Sequence, residues 1–197
     1  AKDYNAFIFR TDPDVLSSDK NFENMMKKIG YKQKRKYKKG CDDIVQPKYV
    51  FRLDIKDKTQ EDLLKSFKEK TRYNIRLAIK KGVNIRRGEK EDLTIFYKIL
   101  QETSKRDKFY IRDFTYYEKI YNEMGPEHVK IFIAEYNNIP ISATMAVMYG
   151  NKVWYLYGGS TNEYRNHMPN YLIQWEMIKW AIENKCDIYD FRGVSRL

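Results

Sequence analysis

The chain has 197 residues, 42% of them hydrophobic and 15% aromatic, a composition that excludes a disordered protein. Its 38 lysines and arginines exceed its 27 acidic residues and give a formal net charge of +11, which favours a polyanionic partner; the alternative is a basic surface that is only solvated. No apolar run approaches the roughly 20 residues of a membrane span and no signal peptide opens the chain, so we predict a cytoplasmic protein that could lie at the inner face of the membrane.

The first 48 residues predict short elements with much charge. Residues 6–11 form an apolar stretch typical of a strand, and Asp12-Pro13-Asp14 is a turn signal. Residues 21–29 have the spacing of a short amphipathic helix, which Gly30 ends. Residues 31–40 are dominated by lysine and arginine and predict an exposed strand or loop, either solvated or in contact with phosphates.

A strand and a long helix are predicted next. In residues 49–55, Phe51, Leu53 and Ile55 share one face, while Arg52 and Asp54 share the other. A helix then begins at Thr59, with an acidic residue three positions on as in a capping box, and ends at Gly82. One side of this helix carries a basic stripe, which is either a solubilising face or a nucleic-acid contact: Lys65, Lys68, Arg72, Arg76 and Lys80.

The second half of the chain predicts two helices, over residues 93–100 and 114–124, and three strands, over residues 129–136, 141–149 and 153–160. Asparagine-rich and glycine-rich turns between the strands predict an antiparallel meander. A helix over residues 169–183 and a strand over residues 187–191 complete the pattern. Two cysteines without metal or redox spacing and only two histidines indicate that no metal is bound.

The loop before the helix at Pro169 is a candidate anion site. A strand that runs into a helix start brings backbone N–H groups and the positive end of the helix dipole to one loop. Arg165 and His167 lie in that loop. Gly158 and Gly159 at the end of the preceding strand would allow a close backbone approach, although a β-bulge explains them equally well.

This order of elements resembles the GNAT acyltransferase fold, an α+β fold with a mixed sheet. GNAT enzymes hold the pyrophosphate of coenzyme A with a Q/R-x-x-G-x-G/A loop at this place. The chain has Arg165 at the first position but Met168 and Asn170 at the glycine positions. Side chains there obstruct the approach of phosphate oxygens to backbone N–H groups, so coenzyme A is not the expected ligand.

Longer segments resemble the FemABX family of peptidoglycan bridge aminoacyltransferases. They are RTDPDV at 10–15, QPKYVFRLDI at 46–55, KTRYNIRLAIKKGV at 70–83, YLYGGSTNEYRNHMPNYLIQWEMIKWA at 155–181 and CDIYDFRG at 186–193. The resemblance runs through nearly the whole chain in the right order. It implies that residues 1–48 are the C-terminal part of a first GNAT-like domain and residues 49–197 a second one, without its last helix and strands. The chain would then be a fragment of a longer protein.

The resemblance implies transfer of an amino acid from aminoacyl-tRNA to the stem-peptide amine of a peptidoglycan precursor, either a UDP-linked or a lipid-linked muramyl peptide. No cofactor is implied beyond the aminoacyl-tRNA co-substrate. Because the ester is already activated, orientation and charge stabilisation could suffice, and a carboxylate would help the amine to lose its proton. Asp54 stands at the place of a site acid in the family and is the catalytic candidate. The alternative for Asp54 is a salt bridge with Arg52.

Substrate-binding candidates also follow from the resemblance. Tyr49 and Arg165 are implied to contact the muramyl peptide, and the planar guanidinium of Arg165 suits a diphosphate because it forms two parallel hydrogen bonds. The alternatives are strand packing for Tyr49 and a salt bridge to Glu163 or Asp190 for Arg165. Tyr157 and Asn170 are further candidates for the same substrate.

The tRNA acceptor arm is expected to meet Arg72, Arg76 and Lys80 through its phosphates, without sequence readout. Peripheral contact with an anionic membrane is also compatible with the charge. Two other functions fit the sequence. One is a coenzyme A-dependent GNAT N-acetyltransferase, which the filled glycine positions disfavour. The other is a non-catalytic basic module that binds RNA or anionic lipid headgroups.

Overall fold

The computed structural model describes residues 9, 11, 13–32, 47 and 49–193. The chain divides into two compact units, one of residues 1–49 with 195–197 and one of residues 50–194. The first unit contains helix α1 (Lys20–Lys28), which begins where the Asp19 carboxylate accepts a hydrogen bond from the Phe22 amide at 2.9 Å. This confirms the helix predicted over residues 21–29. Most of the predicted strand over 6–11 and of the basic segment 31–40 lies outside the described residues, and the origin of residues 1–48 in a preceding domain stays a prediction.

A six-stranded mixed sheet is the framework of the second unit. Its strands are β1 (Val50–Asp54), β2 (Asn84–Gly88), β3 (Val129–Tyr136), β4 (Ile139–Tyr149), β5 (Lys152–Ser160) and β6 (Ile188–Gly193). They lie in the order β1-β6-β5-β4-β3-β2, with β5 and β6 parallel and the other neighbours antiparallel. The predicted meander is confirmed as β3, β4 and β5. Its first turn uses Asn137 and Asn138, whose φ angles of 50° and 62° suit a tight hairpin.

Strand β2 is an element that the sequence analysis did not predict. It pairs with β3 along the edge of the sheet, from Asn84 opposite Glu135 to Gly88 opposite Ile131. Ile85 is its one large apolar residue, so the alternation that marks a strand is absent. Its pairing is therefore visible only in the tertiary structure.

The single long helix predicted from Thr59 to Gly82 is wrong, because the structure has two helices, α2 (Gln60–Ser66) and α3 (Glu69–Lys80). The cap is confirmed, since the Thr59 hydroxyl accepts a hydrogen bond from the Asp62 amide at 3.1 Å. The backbone becomes extended at Phe67, with ψ of 150°, and the Phe67 ring packs edge-on against Trp175 at 5.7 Å. This tertiary contact favours the extended backbone at Phe67 over a continuous helix.

Helices cover both faces of the sheet. Helix α3 and helix α6 (Pro169–Glu183) lie on one face, and α4 (Leu93–Asp107) and α5 (Phe114–Met124) lie on the other. Alternate residues of β3 enter two cores, with Phe132 facing α6 and Ile131 facing α4 and α5. The predicted α+β class with a mixed sheet is confirmed. Within the described ranges, no helix combines the length and apolar character required to span a bilayer.

Candidate active site

A polar cavity of about 240 Å³ opens where β4 begins and β5 ends. The pairing register shifts after Met145, which leaves Leu156 as an extra residue in β5. Beyond this bulge, the last turn of α4 and the first turns of α6 enclose the space. The lining residues are mostly polar: Thr103, Arg106, Asp107, Ser142, Thr144, Tyr155, Gly158, Gly159, Ser160, Asn170, Ile173 and Gln174. Several converging polar groups in a cavity make it a candidate active site.

Gly158 and Gly159 are required because both sides of β5 are crowded here. A Cβ atom on Gly158 would lie 2.5 Å from the Tyr155 hydroxyl, which is inside the cavity. A Cβ atom on Gly159 would lie 2.5 Å from Oγ1 of Thr103 and 3.1 Å from the Ile99 carbonyl oxygen. Gly158 therefore leaves room in the cavity, and Gly159 lets α4 approach the strand.

One wall of the cavity consists of hydrogen-bonded side chains. The hydroxyl oxygen of Ser142 lies 2.7 Å from Oδ1 of Asn170, and the Tyr189 hydroxyl donates to Oε1 of Gln174 at 2.7 Å. Asn170 and Gln174 are four residues apart on α6 and so share one helix face. The same two residues also line a separate apolar groove of about 420 Å³ beside β1 and β6. The predicted residue Asn170 thus belongs to the cavity wall.

The Tyr155 hydroxyl is a cavity group that the sequence analysis did not single out. Burial raises the pKa of Tyr155, so its hydroxyl stays protonated at neutral pH. Its place over Gly158 makes it available to the cavity as a hydrogen-bond donor. The sequence offers no distinguishing signal, since Tyr155 is one of 17 tyrosines in the chain.

An arginine–aspartate pair forms the cavity rim at the end of α4. Nη1 of Arg106 donates to the Ser160 carbonyl oxygen at 2.7 Å, and Nε of Arg106 donates to Oδ1 of Asp107 at 2.9 Å. The hydrogen bonds from Arg106 hold the pKa of Asp107 below its usual range, and the nearby charge of Arg165 adds to the shift. Arg165 is thus close enough for its charge to act on Asp107, although it does not line the cavity. The sequence did not indicate Arg106 and Asp107, because adjacent opposite charges at a helix end resemble an ordinary solvated pair.

The loop that carries Arg165 is anchored by aromatic rings. Tyr136, Tyr164 and His167 form a cluster in which the ring centroids lie 4.5, 4.9 and 5.4 Å apart. His167 is thus part of the anchor. Arg165 is exposed and forms no ion pair with any residue that the structure describes, so neither predicted alternative, Glu163 or Asp190, is its partner.

Most backbone amides at this helix start are already used. The N–H groups of His167, Met168 and Tyr171 donate to carbonyl oxygens of residues 164, 165 and 168 at 2.9 to 3.2 Å, and Pro169 has no N–H group. A pyrophosphate grip of the GNAT type needs such amides to point at the ligand. Anion binding at this loop would therefore depend on the Arg165 side chain.

Tyr157 lies on the opposite face of the sheet from Asn170. Its ring contacts Tyr117 at a centroid distance of 5.1 Å, and its hydroxyl lies 3.1 Å from that of Tyr116. Burial, together with the neighbouring Tyr116 hydroxyl, raises the pKa of Tyr157. The structure therefore places Tyr157 among the side chains under α5 and does not bring it into the cavity lining.

Asp54 lies at the other end of the sheet from the cavity. It is paired with Ile188, which lies opposite Lys152 at the start of β5, whereas the cavity is at the end of β5. Six strand positions separate these two places, a distance of about 20 Å. The Asp54 side chain is 71% exposed, and hydrogen bonds from the Lys56 amide and the Lys58 side chain lower its pKa, which makes it a weaker base. The structure does not join Asp54 and Arg165 in one site.

The salt bridge considered between Arg52 and Asp54 is also wrong. Nε of Arg52 instead donates to Oδ2 of Asp190 at 2.9 Å, and Asp54 pairs with Lys58 at 3.4 Å. The register sets this partner, because Arg52 lies directly opposite Asp190 in the β1–β6 pair. Tyr49 is the last residue of the first unit, and its role in substrate binding stays a prediction.

The predicted phosphate contacts on α3 have different environments. Nη1 of Arg72 donates to the carbonyl oxygens of Lys65 and Phe67, so this side chain caps the end of α2. Arg76 and Lys80 are exposed and have no ion-pair partner within the described residues. By contrast, Lys65 pairs with Glu61 at 2.7 Å. The charges of Arg76 and Lys80 are thus available for a phosphate.

Known proteins resemble this chain over nearly its whole length. The chain is 29% identical over 260 aligned positions to the lipid II:glycine glycyltransferase of Staphylococcus epidermidis and 28% identical over 265 positions to that of Staphylococcus aureus. Both alignments cover 99% of this chain and 62% of the relative. The crystal structure of FemX superposes with a TM-score of 0.84 at 25% identity, covering 94% of this chain and 63% of FemX.

The chain therefore spans less than two thirds of the length of these relatives. The superposition agrees with the mixed sheet described above, and the predicted GNAT-like fold is confirmed. The model of the FemAB family matches residues 2–138 and 127–196. Because this match takes in almost every residue, the chain belongs to the FemAB family, as its sequence motifs predicted.

Proposed function

We propose that this protein transfers an amino acid from aminoacyl-tRNA to the stem-peptide amine of a peptidoglycan precursor. The observation that carries the proposal is the polar cavity at the end of β5, in a chain whose relatives are lipid II:glycine glycyltransferases. A precursor of this kind bears a diphosphate and a peptide amine. Asp107 at the rim and the nearby Arg165 supply the complementary charges.

The reaction is aminolysis of an ester. The acceptor ammonium first loses one proton to solvent, and the resulting neutral amine attacks the aminoacyl carbonyl carbon. A C–N bond then forms, the C–O bond to the ribose breaks, and one proton of the attacking nitrogen is transferred to the ribose oxygen, which leaves as a hydroxyl group. Since the ester is already activated, fixing the two reactants side by side and stabilising the oxyanion supply most of the rate enhancement.

The cavity residues have roles that follow from their chemistry. The Asp107 carboxylate stays ionised at neutral pH beside Arg106, and the oxygen lone pairs that Arg106 leaves unused accept a hydrogen bond from the acceptor ammonium. The Tyr155 hydroxyl donates a hydrogen bond to the carbonyl oxygen as negative charge develops on it. In this scheme Asp107 takes the place proposed for Asp54, because Asp54 lies at the other end of the sheet.

The two charged substrates are bound outside the cavity. The exposed guanidinium of Arg165 binds the diphosphate of the muramyl peptide through parallel hydrogen bonds. Arg76 and Lys80 bind phosphates of the tRNA acceptor arm, and Arg72 stiffens the α2–α3 junction beside them. A full tRNA is long enough to contact α3 while its 3′ end enters the cavity.

The test is a transfer assay with the complete protein. Transfer RNAs charged with labelled glycine, alanine or serine are incubated with lipid-linked or UDP-linked muramyl pentapeptide. We expect label to appear on the precursor with at least one charged tRNA. The proposal fails if transfer persists after the charged tRNA has been digested with ribonuclease, or if no combination yields labelled precursor.

A further inference from the structure

The first five residues of the connection between α4 and α5, residues 108–112, include aromatic side chains that are exposed to solvent. We name this segment the 108–112 loop. Tyr110 is 104% exposed and Phe109 is 43% exposed. Lys108 ends α4 in the left-handed conformation, with φ of 55°, so the backbone turns away from the helix just before these two residues. Two adjacent aromatic residues, Tyr110 fully exposed and Phe109 partly exposed, are costly to leave in water, which suggests that another phase or partner covers them.

The charges around these rings are positive and available. Lys105, Lys108 and Arg112 are exposed and have no carboxylate partner within the part of the chain that the structure describes. The two acids that flank the loop already have partners: Asp107 pairs with Arg106 at 2.9 Å, and the Asp113 carboxylate caps α5 by accepting a hydrogen bond from the Tyr116 amide at 3.0 Å. The segment thus presents cations beside aromatic rings.

The loop is next to the cavity mouth. Residue 108 directly follows the rim pair Arg106 and Asp107. On its other side, the Arg112 guanidinium lies 5.7 Å above the ring of Tyr116. A surface that contacts the loop is therefore beside the entrance through which the acceptor reaches the cavity.

We propose that the 108–112 loop is an interfacial contact with an anionic lipid bilayer, in which Phe109 and Tyr110 enter the headgroup region and Lys105, Lys108 and Arg112 face lipid phosphates. Aromatic rings at headgroup depth together with neighbouring basic residues are the usual composition of such contacts. The inference rests on the proposed function in one respect: the acceptor would be the lipid-linked precursor.

RNA is the other polyanion that could be considered, and the observations favour lipid. A base-stacking site combines aromatic rings with a positively charged groove that tracks the nucleic-acid backbone. Tyr110 is exposed on all sides, and Phe109 beside it has no polar group. Both properties suit insertion among lipids better than stacking on a base.

Vesicle flotation with the complete protein tests the proposal. The vesicles contain phosphatidylcholine alone or with about one third phosphatidylglycerol. The variants are Phe109→Ser with Tyr110→Ser, Lys108→Gln with Arg112→Gln, and Tyr149→Ser as matched control. Tyr149 is 68% exposed and lies at the opposite end of β4 from the cavity. We expect binding to the anionic vesicles to fall about tenfold in the aromatic variant and about fivefold for each cation removed, with no change in the control.

Two assays separate the alternatives. Transfer to a UDP-linked acceptor should be unchanged in the aromatic variant, while transfer to lipid-linked acceptor in vesicles falls. The inference is overturned if the aromatic variant binds anionic vesicles like the unmodified protein, or if it loses affinity for uncharged tRNA instead. Vesicle binding is measured without any transfer reaction. The lipid contact is therefore tested even if the unmodified protein transfers no amino acid and the proposed function fails.

Discussion

Arg52 and Asp190 form an ion pair across β1 and β6, with 2.9 Å between Nε and Oδ2, although 138 positions separate them in the chain. The Asp190 side chain is 2% exposed and that of Arg52 is 31% exposed. Oδ1 of Asp190 also accepts a hydrogen bond from the Arg192 amide at 2.7 Å. A buried carboxylate thus connects the edge strand β1 to the interior of the sheet.

Substitution Arg52→Gln should lower the free energy of unfolding by about 3 kcal/mol, because it leaves the Asp190 carboxylate buried without its cation. Urea denaturation followed by circular dichroism measures this change. Arg87→Gln is the matched control, since Arg87 pairs with Glu183 on the surface and should contribute at most about 1 kcal/mol. Equal effects of the two substitutions would contradict the role given to Asp190.

Gly158 and Tyr155 should be coupled in the transfer reaction. In Gly158→Ala the new methyl group would lie 2.5 Å from the Tyr155 hydroxyl, so this hydroxyl must move and the cavity must shrink. We expect kcat to fall about a hundredfold in Gly158→Ala and about tenfold in Tyr155→Phe, with the double variant close to Gly158→Ala. Single-turnover transfer assays measure these rates. Fully additive losses would show that Tyr155 does not act through this contact.

Arg165 should affect binding of the precursor rather than stability. It is exposed and forms no ion pair within the described residues, so Arg165→Ala should leave the urea midpoint unchanged. Loss of charge-assisted hydrogen bonds to a diphosphate should raise KM for the muramyl peptide by about tenfold or more. Arg165→Lys should recover only part of this loss, because an ammonium cannot make the parallel pair. An unchanged KM in both variants would exclude Arg165 from the substrate site.

The exposed cations of α3 should determine the salt dependence of tRNA binding. Arg76→Gln with Lys80→Gln should weaken tRNA binding and reduce the slope of log affinity against log salt by about 2. Lys65→Gln in the preceding helix α2 is the control, because Lys65 already pairs with Glu61 at 2.7 Å. Filter binding over a range of salt concentrations gives both slopes. A larger effect from Lys65 would assign the tRNA contact elsewhere.

Asp107 and Asp54 can be separated by pH profiles. Both carboxyl groups have a lowered pKa: Asp107 mainly through hydrogen bonds from Arg106, and Asp54 mainly through the Lys56 amide. A lowered folded-state pKa means that the charge, and the stability it supports, is fully present above the ordinary value near 3.8 and is lost as pH falls through the lower folded value.

Between pH 5 and 8, therefore, Asp107→Asn should lower kcat/KM for the acceptor by a constant factor of about ten. Asp54→Asn should change it little over the same range. If Asp54→Asn lowered kcat/KM more than Asp107→Asn did, Asp54 would be the catalytic carboxylate, as the sequence analysis predicted.

The local elements of this protein were predictable because they depend on local periodicity. The boundaries of α6 and of β3 match the prediction, and the asparagine turn between β3 and β4 has the positive φ angles that its residues favour. The prediction of one helix over residues 59–82 failed at Phe67, because a contact with Trp175 of α6 overrides local helix preference. Periodicity alone does not include such a contact.

By itself the sequence determined the alternation of helices and strands, the family, and the absence of glycines at positions 168 and 170, since each depends on residues close together in the chain. Only the tertiary structure decided which charges meet. Strand register pairs Arg52 with Asp190 and leaves Asp54 at the far end of the sheet. Asp107 reaches the cavity because the end of α4 lies beside the end of β5. The glycines that follow the bulge at Leu156 keep the cavity open. Strand register and helix packing bring together residues that are far apart in the chain. Composition and local spacing do not determine which of these residues come into contact.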